Sequence, residues 1–375
     1  MVLAAARARG GGHTHALWPD ARRPMISADL GYPATAEWLR RTMVPTLRRL
    51  PDAAAWLSLR ARAALVSRED GLAAQIGGEV LGTGSPLRVA MYSPSGQAVS
   101  KVICFLFRDG EDDPTIVVKA MAEPRFSWRL RRESALLESI RVQVSHDARV
   151  AGGLPGAPLF ASDVAGEFIL VEPVDALGPR TGETSRMRAL DWLWQFQIAS
   201  CSRERPWEAE DQQRALAAAE EAWRLTAPGS EEAVVSRVRA LIAPLRGAMV
   251  PRCAVHGDFW RGNVAGNRAI RVYDWEWAAL EGDPWFDLWT YELADLRELA
   301  RAGNRGLEAR LNAAVQRVRS ELRDRGLDER FALATLAPVL GALSFRIRGR
   351  LGMPDEMEAH SISVMRVAER LLLAA

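Results

Sequence analysis

Two hydrophobic periodicities divide the chain. Residues 34–70, "ATAEWLRRTMVPTLRRLPDAAAWLSLRARAALVSRED", place apolar residues at three- and four-residue spacing with a break at Pro51, which predicts helices. From Leu87 the period shortens. "LRVAMY", "VSKVICFLF" and "PTIVVKAM" are β-rich runs separated by the turn-rich "SPSGQA" and "RDGEDDP", a pattern that predicts an antiparallel meander. One helical stretch follows, "FSWRLRRESALLESI", and then a further strand, "GEFILVEPV", ending at Pro173. Beyond Pro173 the helical period dominates, over 185–203, 210–226, 230–248, 284–302, 307–325, 328–348 and 354–374. A single β-rich patch interrupts it, "NVAGNRAIRVYDW", with a turn at Gly266-Asn267.

This order predicts an α+β fold of two lobes. Residues 1–33, rich in arginine and glycine at the start, are expected to be a disordered leader, with Met25 an alternative start. Residues 34–80 read as an N-terminal helical extension that caps the small lobe or mediates a homodimer. Residues 81–173 form the small antiparallel β lobe with its one helix, and 174–375 the larger, mainly helical lobe. The cleft between such lobes is the expected ligand site.

Composition narrows the classes. The chain has 375 residues, 48% of them hydrophobic, and a formal net charge of +2. That suits a globular protein and offers no basic excess of the kind nucleic acid attracts. Cys104, Cys201 and Cys253 are far apart in sequence and form no CxxC pair, and the histidines lack zinc spacing, which fits a reducing cytoplasm. No apolar run reaches membrane-spanning length. Of the 49 basic residues only two are lysines, Lys101 and Lys119. Arginine supplies surface charge as well as lysine does, but not a compact ammonium in a tight site.

The polar residues inside the β-rich patch carry the chemistry. "HGDFWRGNV" places Asp258 five residues before Asn263, and "VYDWEW" places Asp274 just beyond a short hairpin. Phosphoryl transfer needs such a set. One carboxylate accepts the proton of the attacking hydroxyl, oxygen ligands hold Mg²⁺ on the nucleotide phosphates, and a cation binds the phosphates. "HGD…N" followed by "DWE" resembles the aminoglycoside phosphotransferase and choline kinase family, which has a protein-kinase-like fold. The resemblance covers roughly residues 85–350 and is concentrated at 119–138 and 256–287.

The resemblance implies Asp258 as catalytic base, Asn263 and Asp274 as magnesium ligands, and His256 as a support of the loop. It also implies a strand lysine paired with a helix glutamate. Lys119 ends "TIVVK", and Glu133 begins the helix that follows; Glu138 is the alternative partner. Lys101, just after a turn, reads as surface charge. "YSPSGQAVS" takes the place of the phosphate-covering loop, with Ser93 or Ser95 reaching phosphate, while "GTGSP" reads as a linker. The backbone of Glu172 to Val174 takes the place of the connector that reads adenine, although Pro173 lacks an N–H. Asp283 is expected as a helix N-cap with Pro284 at the first helical position, and Asp287 as a brace of the catalytic loop.

The implied activity is transfer of the γ-phosphate of ATP or GTP, with Mg²⁺, to a hydroxyl of a small molecule. Amino sugars, amino alcohols, nucleosides and sugar-containing antibiotics are the expected acceptor classes. Trp277, Glu281 and Trp285 are the candidate substrate contacts, since aromatic rings and carboxylates suit cationic or sugar-like acceptors. A kinase-like binding module without turnover is the alternative. A protein kinase fits less well, since little chain separates Asp274 from the next helix.

Overall fold

In the computed structural model the described residues are 15–18, 26–29, 88–92 and, with short breaks, 101–374. The helical extension expected over 34–80 and the loop holding Ser93 and Ser95 lie outside them. The chain forms two compact units, residues 1–135 with 155–179, and residues 136–154 with 180–375. Among the described residues no helix is long and apolar enough to cross a membrane.

The first unit is built on a seven-stranded antiparallel sheet. Its strands are β1 (His15–Trp18), β2 (Ile26–Asp29), β3 (Arg88–Tyr92), β4 (Lys101–Phe107), β5 (Ile116–Met121), β6 (Phe160–Val164) and β7 (Glu167–Pro173). They lie in the order β1-β2-β3-β4-β5-β7-β6. The meander β3-β4-β5 and strand β7 match the β-rich runs of the sequence. Strands β1 and β2 do not match expectation. Within the segment 1–33, expected as a disordered leader, the described residues form these two short strands, which extend the sheet at one edge, β2 pairing with β3 through Ile26 and Tyr92. Four residues as mixed as Ile26–Asp29 carry little strand signal of their own, but beside an open sheet edge they gain backbone partners that local composition does not report.

Side chains alternate across a strand, so register decides which residues share a face. Lys101 lies opposite Met121 and Ile103 opposite Lys119. On the other side of β5, Val117 lies opposite Glu172 and Lys119 opposite Leu170. Lys101, Lys119 and Glu172 therefore project from one face. Phe105, Phe107, Ile116 and Leu106 are among the buried apolar residues of this unit. Helix α1 (Trp128–Val144) follows β5 and begins in the first unit.

The second unit is mostly helical. After α2 (Ala148–Ala151) come α3 (Glu183–Ala199), α4 (Ala209–Thr226), α5 (Glu231–Ile242), α6 (Trp285–Arg301), α7 (Leu307–Asp324), α8 (Phe331–Arg348) and α9 (Asp355–Ala374). Their apolar faces meet in one core that holds Trp223, Trp275, Trp289 and Phe331. Burying a side chain of this size contributes about 2–3 kcal/mol. Helices α4 and α8 approach closely at Gly341, where a Cβ would come within 2.2 Å of the Ala218 carbonyl oxygen.

A three-stranded sheet in this unit is absent from the periodicity reading. It runs β12 (Ala279–Gly282), β9 (Met249–Val255), β8 (Arg203–Pro206). Strands β8 and β12 are short, and β8 and β9 carry proline, Pro206 and Pro251, which lowers the strand signal. The hairpin of β10 (Val264–Ala265) and β11 (Arg271–Val272) matches the expected β-rich patch.

Candidate active site

Strand β9, central in its sheet, delivers His256 at its C-terminal end. From there the chain passes Asp258 and Asn263, turns through β10 and β11, and reaches Asp274. Strand β12 then returns alongside β9, pairing Ala279 with Val255 and Gly282 with Cys253. Both ends of the polar segment are thus anchored to one strand.

The hairpin explains the spacing of Asn263 and Asp274. Val264 pairs with Val272, and the Tyr273 N–H donates to the Asn263 carbonyl at 2.8 Å. Asn263 is thereby held opposite the residue that precedes Asp274. Asp274 has φ 65° and ψ 63° and is the only described non-glycine residue at positive φ. Aspartate is among the few residues that enter this left-handed region, at a cost of about 1–2 kcal/mol.

Asn263 also fixes Asp258. Its amide nitrogen Nδ2 donates to the Asp258 carbonyl at 2.9 Å and lies 3.2 Å from Asp258 Oδ2. That leaves its carbonyl oxygen Oδ1 without a hydrogen-bond donor among the described residues. Asp258 is half-buried, and its backbone N–H donates to His256 Nδ1 at 3.2 Å. His256 is fully buried, with Nε2 2.8 Å from the Tyr273 carbonyl. The two contacts are satisfied together when Nε2 carries the proton and Nδ1 accepts. The imidazole ring packs edge-on to Trp275 at 4.6 Å. It therefore links the start of the loop to the residue before Asp274.

A second brace comes from α6. Asp287, in its first turn, is fully buried. Its carboxylate accepts from the His256 N–H at 2.7 Å and from the Gly257 N–H at 2.8 Å. Thr290, one turn on, donates to the Phe259 carbonyl at 3.0 Å. Gly257 is required by geometry, with φ 82° and space for a Cβ only 2.3 Å from the Trp277 carbonyl oxygen. The Asp283 carboxylate pairs with the buried Arg252, and its carbonyl accepts the first-turn N–H of Phe286 at 3.1 Å. Burial pushes the Asp283 carboxyl above its ordinary pKa, with Arg252 opposing. The helix itself starts at Trp285, so Pro284 lies just before it and not at its first position.

In the first unit both lysines of the chain meet two glutamates. Lys119 Nζ lies 2.7 Å from Glu172 Oε2 and 3.6 Å from Glu133 Oε1, while Lys101 Nζ lies 2.8 Å from Glu133 Oε2. All four are buried or nearly so. Burial pulls the Lys119 ammonium down, but Glu172 and Glu133 together outweigh it and hold its pKa above the ordinary lysine value. Removing one member of such a buried set costs about 3–5 kcal/mol.

Several sequence expectations change here. Lys101 is not surface charge; it is buried at 9% exposure and is the nearer partner of Glu133. Scarcity of lysine was the available signal, and it applied to both lysines. Glu138 lies on the solvent side of α1. Glu172 contributes its side chain to the cluster, and the Val174 N–H donates to the Thr115 carbonyl at 3.0 Å, one step beyond the β5–β7 ladder. That N–H is therefore engaged by the sheet and not presented to a base. Among the substrate candidates, Trp285 is a core residue stacked on Phe331 at 4.2 Å. Glu281 is exposed on β12 and pairs with Arg203 at 3.1 Å. Trp277 is half-buried and abuts Gly257, beside the loop.

No family model and no curated protein matches the chain. Solved structures do show similarity. A putative fructosamine-3-kinase from Thermobifida fusca YX-ER1 is 20% identical, covering 82% of this chain and 100% of its own, with TM-score 0.49. A choline/ethanolamine kinase family protein from Mesorhizobium loti is 14% identical over 81% of this chain and 94% of its own, with TM-score 0.46. A glucosamine kinase in complex with glucosamine, ADP and inorganic phosphate is 16% identical over 81% and 88%, with TM-score 0.45. At such identities the chemistry of the site rests on its own geometry.

A divalent cation is tested by the donor set. Among the described residues no group of three or more His, Cys, Asp or Glu side chains gathers as a self-sufficient metal site. Asn263 Oδ1 and the Asp274 carboxylate are hard oxygen donors on adjoining backbone. Two such donors, with phosphate oxygens and water completing the shell, suit Mg²⁺, which retains water and favours phosphate.

Proposed function

We propose that this protein is a phosphotransferase that moves the γ-phosphoryl group of ATP or GTP to a hydroxyl of a small molecule. The observation that carries the reading is the Asp258–Asn263 contact, with Asn263 strapped by the hairpin to the residue before Asp274.

In this reading Asp258 orients the acceptor hydroxyl and takes its proton. The acceptor oxygen forms a bond to the γ-phosphorus, the bond from that phosphorus to the β–γ bridging oxygen breaks, and the nucleoside diphosphate leaves. Asn263 Nδ2 lies beside Asp258 Oδ2, which leaves Oδ1 to receive the proton. Asn263 Oδ1 and Asp274 would hold Mg²⁺, which supplies charge neutralisation on the nucleotide phosphates. The lysine–glutamate cluster holding Lys119 and Glu133 is assigned to the phosphates. Asp287 and His256 fix the loop so that Asp258 needs no rearrangement when substrate arrives, the preorganisation that transfer depends on.

The acceptor is an amino sugar, amino alcohol, nucleoside or sugar-containing antibiotic. Trp277, half-buried beside the loop, is the aromatic candidate for stacking on it. The test is ADP or GDP release with the purified full chain over a panel of these acceptors. Asp258→Asn is expected to lower turnover at least a hundredfold with the fold intact by circular dichroism. Turnover near that of the wild type in Asp258→Asn refutes the assignment.

A further inference from the structure

The glycine-rich stretch Gly152-Gly153-Leu154, which closes α2, takes no part in the proposed chemistry, yet it is bonded to the hairpin that leads to Asp274. The N–H groups of Gly152, Gly153 and Leu154 donate back to the carbonyls of Ala148, Val150 and Ala151 at 3.0, 2.8 and 3.2 Å. Carbonyls at the end of a helix have no partner within it. Here two consecutive residues of β11 take all three. The Val272 N–H donates to the Gly153 carbonyl at 2.9 Å, and Arg271 Nη1 donates to the carbonyls on either side, of Gly152 and, at 3.2 Å, of Leu154. A cation suits that end of a helix.

The hairpin needs such an anchor. Strands β10 and β11 have two residues each, too few to hold a position alone. The two residues before Asp274 have all four backbone groups engaged. The Tyr273 N–H donates to the Asn263 carbonyl, the Tyr273 carbonyl meets His256 Nε2, and the Val272 carbonyl accepts from Trp275 Nε1 at 2.9 Å. Those three bonds stay within residues 256–275. Only the fourth, from the Val272 N–H, leaves that segment, and it goes to Gly153. Gly153 also lies against Trp192, where a Cβ would come within 2.0 Å of Nε1. Trp192 in turn stacks on Phe259 at 6.2 Å and meets Trp275 edge-on at 6.5 Å, the residues that follow Asp258 and Asp274.

We propose that Arg271 is a positioning residue of the metal half of the site. By binding the carbonyls on either side of Gly153 it holds residues 152–154 along β11, and so sets where Asp274 presents its carboxylate. The inference rests on the phosphotransferase reading above, in which Asn263 and Asp274 hold Mg²⁺. It carries a signature that a merely structural role lacks. Mg²⁺ demands near-ideal octahedral geometry, whereas Ca²⁺ accepts a flexible shell. A carboxylate displaced slightly from its place therefore loses Mg²⁺ before it loses Ca²⁺.

The experiment measures the affinity of the full chain for ATP and GTP by calorimetry, with Mg²⁺, with Ca²⁺ and with neither ion. Arg271→Met is expected to weaken binding about fivefold with Mg²⁺ and less than twofold with Ca²⁺. Arg271→Lys, which keeps a cation with several donors, is expected to recover part of the loss. Binding with Mg²⁺ within twofold of the wild type in Arg271→Met, or an equal loss with both ions, overturns the proposal. Should Arg271→Met fail to fold by circular dichroism, Arg271→Gln decides by the same comparison. A wild-type chain whose nucleotide affinity is the same with and without Mg²⁺ refutes the metal assignment of the phosphotransferase reading, and this proposal with it. A wild-type chain that gains affinity from Mg²⁺, beside an Arg271→Met variant that gains as much, removes the positioning role alone.

Discussion

Replacing Asp287 by asparagine tests the brace beneath the proposed catalytic loop. In the folded protein its buried carboxylate accepts from two successive backbone N–H groups, those of His256 and Gly257, at 2.7 and 2.8 Å. Asparagine retains one acceptor oxygen and turns an N–H₂ group toward the other donor. One charge-assisted hydrogen bond is lost and the other becomes neutral, together about 3–4 kcal/mol. Removing a buried charge returns part of its desolvation penalty, so the net loss is expected near 2 kcal/mol. Urea unfolding followed by tryptophan emission measures it, because the buried Trp275 and Trp289 belong to the same unit. The effect on transfer is expected to exceed the effect on stability. His256 and Gly257 lead directly into Asp258, and a displacement of about 1 Å in a reacting group costs on the order of a hundredfold in rate. A variant whose unfolding free energy stays within about 0.5 kcal/mol of the wild type, the ordinary range of inconsequential surface changes, refutes the bracing role.

Two further perturbations follow from the same geometry. At Asp274, with φ 65°, glycine relieves left-handed strain that alanine keeps, so Asp274→Gly is expected to be more stable than Asp274→Ala by about 1 kcal/mol in urea unfolding, both variants lacking transfer; an alanine variant as stable as the glycine one refutes the strain. Lys119 has its pKa raised by Glu172 and Glu133 against the pull of burial, so the stability it contributes is complete below the ordinary lysine value of 10.5 and is lost as pH rises through the higher folded value. The stability gap between wild type and Lys119→Met, about 3–5 kcal/mol at neutral pH, is therefore expected to narrow above pH 10.5, and a gap that stays constant across that range contradicts the ion cluster.

Much of the fold was legible because its elements repeat a simple period. Helices α3, α4 and α6 to α9 start and end within a few residues of the stretches read from the sequence, since most carry an apolar stripe long enough to count, whereas α5, expected to reach 248, ends at Ile242 just before Pro244. Strands β8 and β12 escaped because each has only four residues, and β8 and β9 carry a proline; β8 and β12 exist through their pairing with β9. Strands β1 and β2 escaped for a related reason. A four-residue strand gains its hydrogen bonds from a neighbour distant in sequence, and the segment itself does not record that neighbour.

The polar site divides in the same way. Sequence by itself determined that Asp258, Asn263 and Asp274 lie within one short stretch built around a hairpin, and their residue types match the chemistry proposed for them. It also determined that a lysine in this arginine-rich chain was worth notice. Only tertiary structure decided that both lysines meet Glu133, that Glu172 turns its side chain into the cluster, and that Trp285 belongs to the core. Those outcomes depend on strand register and on which helix packs against which face. A shift of one residue in a strand would exchange the two faces and leave local sequence patterns unchanged.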